Sequence, residues 1–198
     1  MKVTKIQQQQ KRHDRYSIYI DGAYRFSLSD YQLIGSGLTV GREFSMAELD
    51  SLIQESNFGK AYERALNYVM IRPRSEKEIF DYLQRTFLYP KPRLITDKAG
   101  QRHVKKQKVD KAATTLMIER VIERLREKGY IDDESFAKAW VASRRLTKNI
   151  SLRRLEQELR VKGVDSHIIA ALLESNSETE VEALQGLIQK KRRQSRYQ

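Results

Sequence analysis

The chain has 198 residues, enough for one domain or two small ones, and at 39% hydrophobic and 32% charged it can fold around a core, which argues against disorder throughout. Lys plus Arg number 38 against 26 Asp plus Glu, a net charge of +12 that favours a polyanionic partner: nucleic acid, an acidic protein surface or an anionic membrane. With no Cys, no signal-like apolar run in Met1 to Lys11 and no bilayer-length segment, the expectation is a cytoplasmic protein without disulfides or a Cys-based zinc site.

Residues 2–28 read as strands. Tyr16, Ile18 and Ile20 alternate with Ser17 and Tyr19, and after Asp21-Gly22 the alternation resumes at Tyr24, Phe26 and Leu28. Asp-Gly between alternating runs is a hairpin signature, because both turn positions need positive φ. Val3 to Gln9 is a candidate third strand.

From residue 29 the pattern is helical. Ser29-x-x-Gln32 spells a capping box on a short helix stopped by Gly35 and Gly37. Ser45-x-x-Glu48 is a second box, backed by Leu49, Leu52 and Ile53. A further helix from about 59 to 71 turns Ala61, Ala65, Leu66 and Val69 inward, and Pro73 ends it. Ser75-x-x-Glu78 caps the next, with Ile79, Leu83 and Phe87 as its inner face. Between 89 and 108 the pattern breaks at Pro90 and Pro92, and Arg93 to Thr96 and Arg102 to Lys105 flank a candidate projecting hairpin turn. A long helix resumes near 109 with the stripe Ile118, Val121, Ile122 and Leu125, and Gly129 lies just past its end.

Asp132 or Asp133 caps a helix carrying Phe136, Ala137, Trp140 and Val141. Ser151 caps another with Leu152, Leu155 and Leu159 inward, closed by Gly163. Asp165 opens a third with Ile168, Ile169, Leu172 and Leu173. Ser177-x-x-Glu180 begins one more, and Lys190 to Arg196 form a basic tail. Arg72, Ser75, Ile79 and Leu83 recur 76 positions later as Lys148, Ser151, Leu155 and Leu159. Self-similarity of a helical unit predicts a stacked array. The expected fold is mainly α: tandem three-helix repeats in an elongated curved array behind a small N-terminal β-hairpin module. The expected divisions are 1–57 for that module, 58–131 for a first repeat with a basic insertion at 89–108, 132–176 for a second repeat, and 177–198 for a truncated third repeat and tail.

The run Gly129-Tyr130-Ile131-Asp132-Asp133-x-x-Phe136-Ala137-x-x-Trp140-x-x-x-Arg144, followed by Ser151 and Glu158-Leu159-x-x-Lys162-Gly163, resembles the RecX family, regulators of the RecA recombinase. Arg72-x-x-Ser75-x-x-Glu78-Ile79-x-x-x-Leu83 is similar to that family's first repeat, as is Tyr16 to Gly22 with Gly37-Leu38 and Gly41 to its N-terminal part. The resemblance implies tandem three-helix repeats lying in the groove of a RecA filament, where they limit strand exchange and co-protease activity. It also implies a place in homologous recombination, DNA repair and the SOS response. The single-helix third repeat and the basic insertion depart from the family pattern.

Two basic clusters are the candidate contact sites. Arg144, Arg145, Lys148, Arg153 and Arg154 surround one helix joint, and Arg grips carboxylate or phosphate with two parallel donors. The alternative role there is capping helix ends and pairing with Glu156 and Glu158. Lys91, Arg93, Arg102, Lys105, Lys106 and Lys108, with Lys98 and Lys111, charge the insertion, which either contacts phosphates or is a solvated loop. Trp140 and Phe136 fall on the buried stripe and read as core. Asp132-Asp133-Glu134 reads as an acidic first turn complementing the helix dipole, not as metal ligands, and His13, His103 and His167 have no ligand spacing. No phosphate loop, nucleophile elbow or catalytic carboxylate pair stands out. The expectation is therefore a monomeric, non-enzymatic regulator of RecA filaments with no metal or cofactor. The alternative is a RecA-independent nucleic-acid-binding module using the basic hairpin and tail.

Overall fold

The structure is a computed structural model that describes residues 1–96, 100–105, 109–147, 150–174 and 188. The Ser177 box, the basic tail and Lys98, Lys106, Lys108 and Lys148 lie outside the described residues. The described chain is mainly helical, with a small antiparallel sheet at its N-terminus, as expected. It divides into two compact units, Met1–Tyr68 with Tyr82–Leu125, and Val69–Asp81 with Arg126–Gln198.

In the first unit β1 (Val3–Gln8), β2 (Arg15–Ile20) and β3 (Ala23–Ser29) pair antiparallel in chain order. Asp21 and Gly22 both take positive φ, 49° and 80°, as a two-residue turn joining strands of right-handed twist requires. Val3, Ile18, Ile20, Phe26 and Leu28 pack with Leu38, Phe44 and Leu49. Tyr24, in phase with Phe26 by alternation, instead sits 53% exposed near the turn, edge-on to Tyr19. The sheet register slips between Ile18 and Tyr19, and such a bulge adds a residue to one strand. Arg15 is buried behind the sheet because its guanidinium donates to Glu63 and to the Ser27 carbonyl.

Helix α1 (Asp30–Ser36) begins with the predicted box: the Gln32 amide donates to Ser29 Oγ and the Ser29 amide to Gln32 Oε1. Gly35 does not stop it. Gly37 does, with φ 58°, because the terminating residue must enter the left-handed region. The two helices expected on either side of residue 58 are one, α2 (Met46–Ile71). Gly59 sits inside it for packing: a Cβ there would lie 2.2 Å from the Gln32 side chain, which donates to the Glu55 carbonyl.

Helix α3 (Glu76–Leu83) buries Ile79 and Leu83 and passes into a π-helical turn, Gln84–Leu88. The extra residue per turn advances the inward position by one, so Leu88 is buried and Phe87 only half-buried, contrary to the predicted stripe. Strands β4 (Arg93–Thr96) and β5 (Arg102–Lys105) form the expected hairpin. Asp110 then caps α4 (Lys111–Glu127), accepting the Ala113 N–H at 3.1 Å, and Ile118, Val121, Ile122 and Leu125 are buried along it.

In the second unit α5 (Asp133–Thr147), α6 (Leu152–Val161) and α7 (Ser166–Glu174) enclose Phe136, Ala137, Val141, Leu155, Leu159, Val164 and Ile169. Of the two capping candidates, Asp132 caps α5, accepting the Glu134 and Ser135 amides. Asp133 reaches across instead and accepts the Glu76 amide at the start of α3 at 2.8 Å. Ser151 stands at the N-cap of α6, but its hydroxyl makes no capping bond.

Candidate anion-binding site

Trp140 and Arg144 are four residues apart on α5, and Glu158 faces them from α6. Glu158 Oε2 accepts both the Trp140 indole N–H at 3.0 Å and the Arg144 Nε–H at 2.8 Å. Arg154, one turn before Glu158, lies 3.6 Å from its other oxygen. The Arg144 guanidinium and the Lys162 ammonium sit 4.7 and 4.8 Å from the centre of the indole ring, whose faces attract cations. Trp140 packs against the core, as expected, but is not enclosed by it. Its ring is half-buried at the core's edge and polar at its tip.

These groups line an open cleft of about 720 Å³ together with Ser151, Arg153, Gln157 and Val161. Four cations face one carboxylate in it. Glu158 is engaged by Arg144 and Arg154, while Glu156 pairs with Arg160 instead. Arg153 is exposed and has no carboxylate partner among the described residues. A partly shielded cleft with surplus guanidinium suits a carboxylate or phosphate, which each accept paired N–H donors.

Lys162 ties the cleft to α3. Its ammonium donates to Glu78, which also takes two bonds from Arg72, and its carbonyl accepts the Ser75 hydroxyl at 2.7 Å. Burial pushes the Glu78 carboxyl up, but hydrogen bonds and charge from Arg72 and Lys162 outweigh it and hold the group below its ordinary value.

Of the basic residues expected at the helix joint, the structure brings Arg144, Arg153 and Arg154 together in this cleft. Arg145 is placed only as a backbone position of α5. In the other cluster Lys91 and Arg102 are exposed, and Arg93 and Lys105 are backbone positions of β4 and β5. The pairing with Glu158 expected as the alternative role of the helix-joint arginines is present, made by Arg144 and Arg154, while Lys162 is the part of the site that sequence reasoning missed. Its signal was the four-residue spacing of Arg154, Glu158 and Lys162, which puts the three on one helix face. Among the described residues no His, Asp or Glu group is arranged to hold a metal, and no helix is long and apolar enough to cross a membrane.

Comparison with known proteins places these features in a family context. Residues 1–45 match the profile of the regulatory protein RecX N-terminal domain, 61–86 that of the RecX first three-helix domain, and 132–173 that of the second. Together the three cover more than half of the chain. A regulatory protein RecX from Listeria welshimeri is 32% identical over 178 residues, covering 90% of this chain and 57% of that protein. One from Oceanobacillus iheyensis is 32% identical over 196 residues, covering 96% and 63%. The chain thus spans about three-fifths of the length of these relatives. A crystal structure of regulatory protein RecX matches with a TM-score of 0.67 at 26% identity, over 100% of this chain and 85% of that one. The RecX structure from Lactobacillus salivarius shares the fold, with a TM-score of 0.52 over 71% of this chain and 76% of that one, at 20% identity.

Proposed function

The chain belongs to the RecX family of regulatory proteins, and from that premise we propose that it binds RecA nucleoprotein filaments and inhibits their recombinase and co-protease activities. It acts by occupancy, as a cytoplasmic monomer, with no chemistry of its own. The observation that supports this reading is the cleft of the second unit, where Arg153 stands beside the Trp140–Arg144–Glu158 cluster with no carboxylate of its own among the described residues. A partner carboxylate entering there would complete the charge balance that Glu158 alone leaves short. The tandem three-helix repeats expected over 58–131 and 132–176 suit the helical groove of a filament. A chain lying in that groove obstructs the second DNA strand and a repressor substrate, and favours filament disassembly.

The test is DNA-dependent ATP hydrolysis and strand exchange by RecA from the same organism, with this protein in stoichiometric excess at moderate salt. Both rates are expected to fall, and electron micrographs of the filaments should gain density in the groove. Unchanged rates would overturn the proposal. Binding to bare nucleic acid with no effect on RecA would favour a RecA-independent module in its place.

A further inference from the structure

The cleft of the second unit is basic at one end and apolar at the other, and α6 carries the change along its length. Arg153, Gln157 and Val161 all line the cleft and follow one another at intervals of four, so they rise one above the next on a single face of the helix. Arg153 is exposed with no carboxylate partner among the described residues, and Gln157 is exposed beside it. Val161 is 70% exposed although it is apolar. The neighbouring cations are engaged: Arg144 and Arg154 by Glu158, and Lys162 by Glu78. The charge left over in the cleft therefore sits at its Arg153 end, and the Val161 end offers apolar surface.

We propose that this face binds an extended segment of a partner protein in which an acidic and an aliphatic residue stand four positions apart, the acid on Arg153 and the aliphatic side chain on Val161. The inference rests on the reading of the cleft as the filament contact and names the kind of chain that fills it. Two repeats match. Four residues of a helix rise about 6 Å. Two residues of extended chain advance about 6.6 Å and return the side chains to the same side. Alternate side chains of the segment therefore meet Arg153, Gln157 and Val161 in turn, over about 12 Å of helix. The Gln157 amide can donate to or accept from a polar group between the two ends. Single-stranded nucleic acid fits less well. It brings a charge with every nucleotide, so a phosphate would lie against Val161. The Trp140 ring, on which a base would stack, already carries Arg144 and Lys162.

The test uses the full chain without RecA and follows the emission of Trp140, its only tryptophan, at about 0.1 M salt. The probes are end-blocked peptides of sequence Gly-Glu-Gly-Ser-Gly-Leu-Gly and the same residues in reverse order. In one control Ser replaces Leu, and in another Leu is moved one position toward the acid, which turns it to the opposite side of an extended chain. The better of the two probe orders should bind about five-fold more tightly than either control, the gain expected from burying part of a leucine side chain. Val161→Lys changes an exposed position and should fold normally; it should remove the leucine preference. Arg153→Glu should weaken every peptide. Equal affinity for probe and control peptides, no binding of any of them, or a leucine preference that survives in Val161→Lys overturns the proposal. The filament assay is read separately. Inhibition of strand exchange without a peptide preference removes this inference and leaves the filament reading standing, whereas a peptide preference without inhibition keeps the segment and removes RecA as the chain that carries it.

Discussion

The hydroxyl of Ser75 donates a 2.7 Å hydrogen bond to the main-chain carbonyl of Lys162, 87 residues further along the chain. The same oxygen accepts the Glu78 amide and so caps α3. Ser75 is fully buried, so Ser75→Ala leaves both groups short of a partner, at about 1–3 kcal/mol. At roughly 2–4 °C per kcal/mol for a chain of this size, the melting midpoint should drop by several degrees. Ser151, its counterpart in the 76-residue repeat, is exposed and makes no capping bond. Ser151→Ala should stay within about 0.5 kcal/mol of the parent. Equal losses from the two substitutions in a thermal melt would show that the burial of Ser75 is not what matters.

Gly163 offers a second contrast. It sits at φ 79°, and a Cβ there would meet Lys77 side-chain carbons at 2.5 Å. Gly129 has a similar φ of 70° with nothing within 4 Å. Both alanine variants carry the left-handed backbone penalty of about 1–2 kcal/mol, but only Gly163→Ala also has to displace Lys77. Urea midpoints should therefore fall further for Gly163→Ala than for Gly129→Ala. The reverse order would mean that the Lys77 side chain swings aside without cost.

What the sequence made legible was local. Asp21-Gly22 announced its turn, Ser29 and Ser45 their caps, and the stripe of α4 its buried face, because each depends on neighbours within a few residues. The misreadings came from distant contacts. The helix expected to begin near 59 is instead continuous with the one before it, and Gly59 is required inside α2 by the Gln32 side chain, 27 residues away. The π-helical turn has no sequence signature, so Phe87 and Leu88 exchanged places. Trp140 packs against the core as its helical phase says, but phase does not say that Glu158 would satisfy its indole N–H. Lys162 could be placed on a face of α6, but its bond to Glu78 spans 84 residues.

The Arg72–Glu78–Lys162 group should leave a mark on acid stability. Glu78 titrates below the 4.5 of an unconstrained glutamate, so the unfolded state takes up its proton first. Its contribution is present above pH 4.5 and is lost as pH falls through the lower folded value. Glu78→Gln should therefore be less stable than the parent at neutral pH, with the gap closing below pH 4.5. Asp133 opposes this: burial, with Glu76 and Asp132 nearby, raises its carboxyl against the Glu76 amide bond and Arg126. Because Asp133 is present in both proteins, subtracting their pH profiles removes it. A gap that stays constant from pH 7 to 3 would show that Glu78 acts through packing and not through its charge.

Arg153 gives the most direct probe of the proposed filament contact. Its side chain is exposed and has no carboxylate partner among the described residues, so Arg153→Glu should leave the melting midpoint within about 0.5 kcal/mol of the parent. The same change reverses a charge in the cleft. It should raise the concentration needed for half-inhibition of RecA strand exchange by about ten-fold, equivalent to roughly 1.4 kcal/mol of contact. Trp140 is the only tryptophan of the chain, and it sits in this cleft, so its emission reports on the cleft in the isolated protein. Titration with oligoglutamate should shift that emission in the parent and much less in Arg153→Glu. Added salt should weaken the response, because exposed charges are screened within about 10 Å at 0.1 M. A folded Arg153→Glu protein that inhibits strand exchange as well as the parent would exclude the cleft from the contact, leaving the filament to be held by another face of the repeats.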